Sequence, residues 1–485
     1  MSFKKKMRIV GNQTISQYAD NPYLIDKKSN KKRIPLWAKI SIPSSLVAIG
    51  AVFAIVIANS LGNKIDISPK RINQSNKVFN SKRINHNQDF VQSIKSFSSD
   101  YFINSNRYLY KYGGNSQRDE ENGNVIFSPI ALTNQLYMLL DATKDNVTKE
   151  EIRHVLHLDG NVDYLEENQK IILNNAIDND NCYSEISTGL FLKPSIAKYL
   201  KQEYVNILSD YYYADIFEES DDWKIAQKQS LDYYASKNAA RLEIEQGEPI
   251  EVTDDISEQE IIFTPTSNEI NLTPCVHLES FWNVRFEKKL SPMTFANKNG
   301  TINDAVSQMK ASFVGNVLET QNYYLVRIPL NSYSFNILLS KDNDENLPHE
   351  HIDDLLSFAH EEEYLANIDI SMPLFHFENF YEPDIVLSYL GIASPYFRFE
   401  LNSAFDDSGE RQHFPNPDLT VSGTINVNEN GLFSYSRTYS SNLVEPASTT
   451  ENNYPFVNLI ADHPFIYSIT DASELPLFIG QVCNF

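Results

Sequence analysis

The sequence predicts an α+β fold, with helices gathered early in the chain and strands late. Two patterns carry this reading. Phe90, Val91, Ile94, Phe97 and Phe102, and then Tyr108, recur at helical spacing. Late in the chain the apolar runs are aromatic and β-branched instead, at 323–329, 334–339, 456–459, 465–469 and 476–482. Of the 485 residues, 42% are hydrophobic and 22% charged, the profile of a chain that folds. No repeat of about 20–50 residues runs through it, which sets stacked-repeat architectures aside.

The N-terminal part reads as separate from that fold. Residues 1–39 form a basic tail with Lys4-Lys5-Lys6, Lys27-Lys28 and Lys31-Lys32-Arg33. An apolar run covers 40–61, opening at Ile40 and closing at Leu61. A membrane-spanning helix needs about 20 apolar residues, whereas a shorter dense core suits a signal peptide. Ala58-Asn59-Ser60 has the small-x-small character of a cleavage site. Signal anchor and cleaved signal both stay open, and both outweigh a buried core helix, since no amphipathic neighbour flanks the run. Lys and Arg are denser before the run than after it, so either reading puts the large domain outside the cytosol, secreted or single-pass. Residues 62–87 are rich in Asn, Ser and Lys and read as a linker. The folded domain is expected over 88–485.

Within that domain the early helix is followed by helical stretches at 132–142 and 149–156. Thr148 is the expected N-cap of the second, with Glu151 three residues on. A strand is expected at 189–192, a helix feeding a strand at 199–213, and a further helix at 230–242. The acidic stretch 243–269 reads as a solvated surface insertion.

Composition and motif searches exclude several chemistries. The net charge of −23 argues against nucleic-acid binding, which needs clustered Lys and Arg. There is no nucleophile elbow, phosphate-binding loop or H-E-x-x-H. His349-Glu350-His351, with Asp353, Asp354, His360 and Glu361, is the richest ligand cluster. His residues two apart diverge on a helix, so a solvated acidic helix outweighs a metal site. His463, before Pro464, reads as structural. No cofactor or metal is expected. Cys182, Cys275 and Cys483 cannot build a disulfide framework, and the last two read as buried thiols. Of the sequons at Asn73, Asn146, Asn271 and Asn299, Asn271 falls in an expected core strand.

A series of short motifs then follows one order along the chain. Asn124-Val125-Ile126-Phe127-Ser128-Pro129 leads into Leu136, Met138, Leu139, Leu140 and Ala142, then Thr148, Glu151, Ile152 and Leu156. Trp282, Phe286, Phe295 and Met309 come next. Val326-Arg327-Ile328-Pro329, Phe335-Asn336-Ile337-Leu338-Leu339, Met372-Pro373-Leu374-Phe375 and Leu390-Gly391-Ile392 follow. Ile425-Asn426-Val427-Asn428-Glu429-Asn430-Gly431 precedes a polar loop, and Ala461-Asp462-His463-Pro464-Phe465 and Leu477-Phe478-Ile479-Gly480 close the chain. In this order the motifs resemble the serpin family.

The resemblance implies several helices packed on three β-sheets with an exposed reactive-centre loop. It implies that a target protease attacks the loop and forms an acyl-enzyme, after which the freed loop end inserts as a strand. The expected function is therefore a serine-type endopeptidase inhibitor acting as a suicide substrate, not an enzyme. The alternative is a non-inhibitory binding or carrier protein; a hydrolase is the remaining rival. The expected partner of this monomer is a protease of the serine or cysteine type, with a membrane contact through Ile40 to Leu61 if that run is uncleaved.

The hinge residues are Glu429, Gly431, Leu432, Ser434, Ser436 and Thr438. The alternation of a strand turns Leu432, Ser434, Ser436 and Thr438 to the core, and Phe433, Tyr435 and Arg437 to solvent. The scissile region falls near Val444, Glu445 and Pro446, where the proline is a poor follower of a cleaved bond. Ser128 and Trp282 mark the sheet-opening region. Departures from the family are Ala131 for a Ser, Pro274 near its Asn, Val421 near its His and Leu374 for its Lys. Tyr233 and Asn238 stand for its Trp and Thr.

Overall fold

A computed structural model describes residues 9–10, 13–14, 68–75, 79–80, 86–111, 123–158, 170, 176–237, 269–341, 347–357, 362–381, 383–392, 401–406, 417, 419, 421–433 and 453–485. The helix signalled by Phe90 and its neighbours is α1, Gln88–Lys111. Phe90, Val91, Ile94, Phe97, Tyr101 and Phe102 are all buried on its inner side. Its start is pinned to the far end of the chain by His86 to Asp471 (2.8 Å) and Lys95 to Glu474 (2.7 Å).

Helix α2, Pro129–Ala142, opens with Ser128 as N-cap and Pro129 in its first turn, the position that loses no hydrogen bond to proline. It is buried on every side, its polar Thr133, Asn134 and Gln135 included. Helix α3 spans Asn146–Val155, and its cap is Asp145, not Thr148. The Asp145 carboxylate accepts from Thr148 N (2.9 Å) and Thr148 Oγ1 (2.6 Å), so Thr148 sits inside the first turn. Helix α4 is Gln202–Tyr211. Helix α5 spans Trp223–Lys237, starting earlier than the expected residue 230 because Asp222 accepts from Lys224 N (2.9 Å) and opens the turn there.

Two nine-stranded sheets hold the core. Besides the short strands Lys70–Asn73, Phe79–Asn80 and Glu287–Lys288, their strands are β1 Val125–Phe127, β2 Ala176–Asn179, β3 Cys182–Leu192, β4 Asp215–Glu218 and β5 Ile270–Phe281. They continue as β6 Gln308–Glu319, β7 Tyr323–Pro329, β8 Tyr333–Ser340, β9 Tyr364–Pro373 and β10 Phe375–Tyr381. The last are β11 Val421–Asn428, β12 Gly431–Phe433, β13 Phe456–Ile460, β14 Phe465–Asp471 and β15 Pro476–Val482.

The first sheet runs β10-β11-β12-β5-β3-β2, and β4 lies parallel against β3. The second runs β13-β9-β6-β7-β8-β14-β15-β1. The expected second and third sheets are continuous, because long β6 pairs with β9 along most of its length and with β7 at its end. Helix α2 packs between the sheets, against β5 and β15. All three cysteines are buried and none is in a disulfide. Asn271 lies on β5, its amide donating to Glu219 (3.2 Å).

Candidate strand-insertion site

The polar turn after β11 returns the chain into the first sheet. Asn430 N donates to the Asn428 side-chain oxygen (2.9 Å), closing the turn through Glu429. Trp282 holds it from β5's end: its Nε1 donates to Asn428 O (2.7 Å) and its N to Asn430 O (3.1 Å). The indole itself packs on Phe286 and Phe335. β12 then runs antiparallel to both neighbours, with Leu432 opposite Val427 and Ser280 and Phe433 opposite Asn426 and Glu279. Three residues of the hinge segment, Gly431, Leu432 and Phe433, thus already form a strand between β11 and β5. Gly431 is required there: a Cβ would stand 2.2 Å from Ser280 O and 2.9 Å from Phe281 Cα.

Leu432 faces the core as expected, among Leu278, Trp282, Ile425 and Val427. Phe433 does not face solvent. It is 1% exposed and packs edge-on against Phe281, with centroids 6.0 Å apart. The outer face of β5 is covered at this level, which alternation alone does not disclose. Ser434, Ser436, Thr438, Val444, Glu445 and Pro446 lie outside the described residues, as do Tyr435 and Arg437. Leu374 is partly buried against the second sheet's core.

Ser128, expected with Trp282 to mark the sheet-opening region, caps α2, which packs against β5. Ser128 is buried and its hydroxyl accepts from Ala131 N (3.4 Å). Gly423 of β11 sits directly on β1, where a Cβ would meet Ile126 at 3.0 Å. The polar link from α2 to the first sheet is one that motif reading missed: Asn134 Nδ2 donates to Thr188 Oγ1 of β3 (2.8 Å). The signal available for it was the polar run Thr133-Asn134-Gln135 between apolar stretches of the helix.

Thr188 stands opposite Pro274 of β5. Phe281 N bonds Asn181 O, so odd residues of β5 aim their backbone groups at β3 and even residues aim theirs at β12. Pro274 therefore puts its missing N–H on the insertion edge. Pro274 lies seven residues along β5 from Phe281, which faces Gly431.

The outer face of the first sheet carries a buried ionic group. Lys237, the last residue of α5, reaches Glu185 (3.0 Å) and Asp215 (3.5 Å). Burial lowers its ammonium pKa, but the two carboxylates outweigh that and hold it above the ordinary value. Tyr183 donates to Glu185 (2.9 Å), and His277 contacts Glu279 (2.7 Å). This group ties the end of α5 to β3 and β4.

The other sequence candidates are structural. His463 lies between Asp462 (2.8 Å) and the Ser340 carbonyl (3.0 Å). Of the acidic cluster, His349–His351 form a short turn and Ile352–Leu356 a helix; Glu350 and Asp353 are exposed, His349, His351 and Asp354 are half-buried, and His360 and Glu361 lie outside the described residues. His349 packs on Phe102 and contacts Gln481, while His351 packs on Tyr323. No group of side chains suited to a metal ion occurs among the described residues.

The short strand Gly431–Phe433 is seated between two strands of a large mixed sheet, with Trp282 holding the turn that leads into it. The family model for serpins (serine protease inhibitors) matches residues 104–485, and the chain belongs to that family. Among solved structures, a thermophilic serpin, tengpin, in its native state matches with TM-score 0.63 at 18% identity, covering 86% of this chain and all of that one. The same protein in its latent state matches with TM-score 0.55, at 18% identity and with 83% of this chain and 100% of that one covered. Serpin48 of the insect Tenebrio molitor gives 0.61 at 18% identity, covering 82% and 99%. Thyroxine-binding globulin in complex with thyroxine gives 0.58 at 16% identity, covering 80% and 98%. No curated protein sequence matches the chain.

Proposed function

We propose that this chain is a serine-type endopeptidase inhibitor that works as a suicide substrate. The observation that carries the reading is β12: three residues of the hinge already occupy the slot between β11 and β5. Cleavage near Val444 would free the loop to extend that strand, and Leu432 sets its register. Ser434, Ser436 and Thr438 then continue on Leu432's side of the strand. Insertion competes with hydrolysis of the acyl-enzyme, so each 1.4 kcal/mol added to its barrier slows it about tenfold. Glu429 lies in the turn that swings, and Trp282 and Ser128 sit at the mouth and the base of the slot.

One observation favours the second reading, a non-inhibitory binding or carrier protein. Pro274 offers no donor to an inserting strand at the level of Thr438, so the ladder is interrupted there. Thyroxine-binding globulin is a structural neighbour with a bound small molecule. Export, with the run from Ile40 to Leu61 as anchor or cleaved signal, remains part of the proposal and rests on the sequence. That run lies outside the described residues, among which no helix is long and apolar enough to cross a membrane.

Incubation with a panel of serine and cysteine proteases separates the readings. A detergent-stable covalent complex supports inhibition, and Pro274→Asn should raise its yield. Clean cleavage with no complex, in both the native chain and the Pro274 variant, would sink it.

A further inference from the structure

We propose that the free edge of β13 is a self-association site, where two copies of this chain pair antiparallel about Asn458. The strand reads Phe456-Val457-Asn458-Leu459-Ile460, with no charge and no proline, in a chain of net charge −23. It ends the second sheet, lying parallel to β9 from Asn367 opposite Phe456 to Ser371 opposite Ile460. Asn367 N donates to Pro455 O (2.8 Å) and Ala461 N to Ser371 O (2.9 Å). Odd residues therefore serve β9, and the N–H and C=O groups of Phe456, Asn458 and Ile460 point to the outer edge. Among the described residues no strand pairs with that edge.

Edge strands are ordinarily blunted by charge, proline or a bulge, and β13 has none of these. Its outward residues also carry exposed apolar side chains, Phe456 at 66% and Ile460 at 45%.

The occupant follows from symmetry. A second copy laid antiparallel about Asn458 gives every outward donor an acceptor. Asn458 exchanges both bonds with Asn458 of the partner subunit, and Phe456 exchanges both with Ile460 of the partner subunit. The same register sets Phe456 beside that Ile460 on the exposed face, a favourable cross-strand pair. A slip of one residue would turn outward groups against inward ones. Net negative charge opposes approach of two copies but none of it lies on β13, so salt strengthens the pairing. Because β13 follows the loop directly, pairing would hold two loops side by side, in place of the monomer expected from sequence.

Sedimentation velocity on the full chain tests this over about two decades of concentration, up to about 100 µM. The expected result is a concentration-dependent dimer favoured by added salt. Asn458→Pro removes an N–H that β9 does not use, so the fold is kept and the dimer is lost. Phe456→Lys with Ile460→Lys, changing only exposed side chains, should abolish it too at unchanged circular dichroism. A native chain that stays monomeric throughout, or a dimer that survives both variants, overturns the proposal.

Discussion

At Gly431 one missing methyl group decides whether the hinge fits, since the nearest atoms to a built Cβ are backbone of β5 that cannot step aside. Gly431→Ala is expected to expel β12 or to cost about 1–3 kcal/mol as overpacking does. Amide exchange should rise at Leu432 and Phe433, and unchanged protection there would refute the close approach. A second residue reports on pH. His376 of β10 contacts Ile425 O through Nδ1 (3.1 Å), and burial pushes its imidazole below the ordinary 6.5, against that hydrogen bond. The unfolded chain then binds the proton more readily than the folded one. Its contribution to stability is present above the unfolded value near 6.5 and is lost as pH falls through the lower folded value. The melting temperature should fall on acidification below neutral pH, and His376→Gln should flatten that slope. An identical slope in the variant would remove His376 as the cause.

Among the elements, β12 and β5 set what cleavage can do. If the loop inserts, cutting it near Val444 should raise the melting temperature, because an added central strand gains ladder bonds worth about 1 kcal/mol each and buries apolar area. Pro274→Asn should enlarge the rise; an unchanged midpoint after verified cleavage would end the insertion mechanism. Ser434→Arg, which would follow Leu432 towards the core, should then yield a substrate in place of an inhibitor, while Tyr435→Arg, on Phe433's side, should be tolerated only if the cover over Phe433 ends before that level. Much of this was legible in the chain itself. Helices α1 and α2 and the late strands follow from periodicity, which reports burial on one face or two. The turn and Leu432 followed from the glycine and the alternation. Phe433 did not, because alternation names two faces without saying that the outer one is covered. Nor did the cap at Asp145, where two oxygen-bearing residues lay within one turn and only geometry chose between them. The Asn134 to Thr188 link and the Lys237 cluster join distant segments, and no local pattern marks them.

At the scale of the whole molecule, both sheets contribute side chains to each of the two large apolar clusters. A protease-protection or fusion assay should find residue 88 onward outside the cytosol, as the basic residues before Ile40 imply. A cytosolic location would overturn export and with it the extracellular target. Cys182, Cys275 and Cys483 are buried, outside any disulfide and set in three different places. Cys275 lies beneath α5 with Phe191, Phe217 and Tyr233; Cys182 belongs to the second core; Cys483 belongs to the first, at the chain's end. Nature has in effect installed three sealed chemical clocks. A thiol-specific reagent, read by mass at each position over time, would time when each compartment breathes. Cys275 ticking ahead of the others would mean that the lifting of α5 precedes any loosening of the interior.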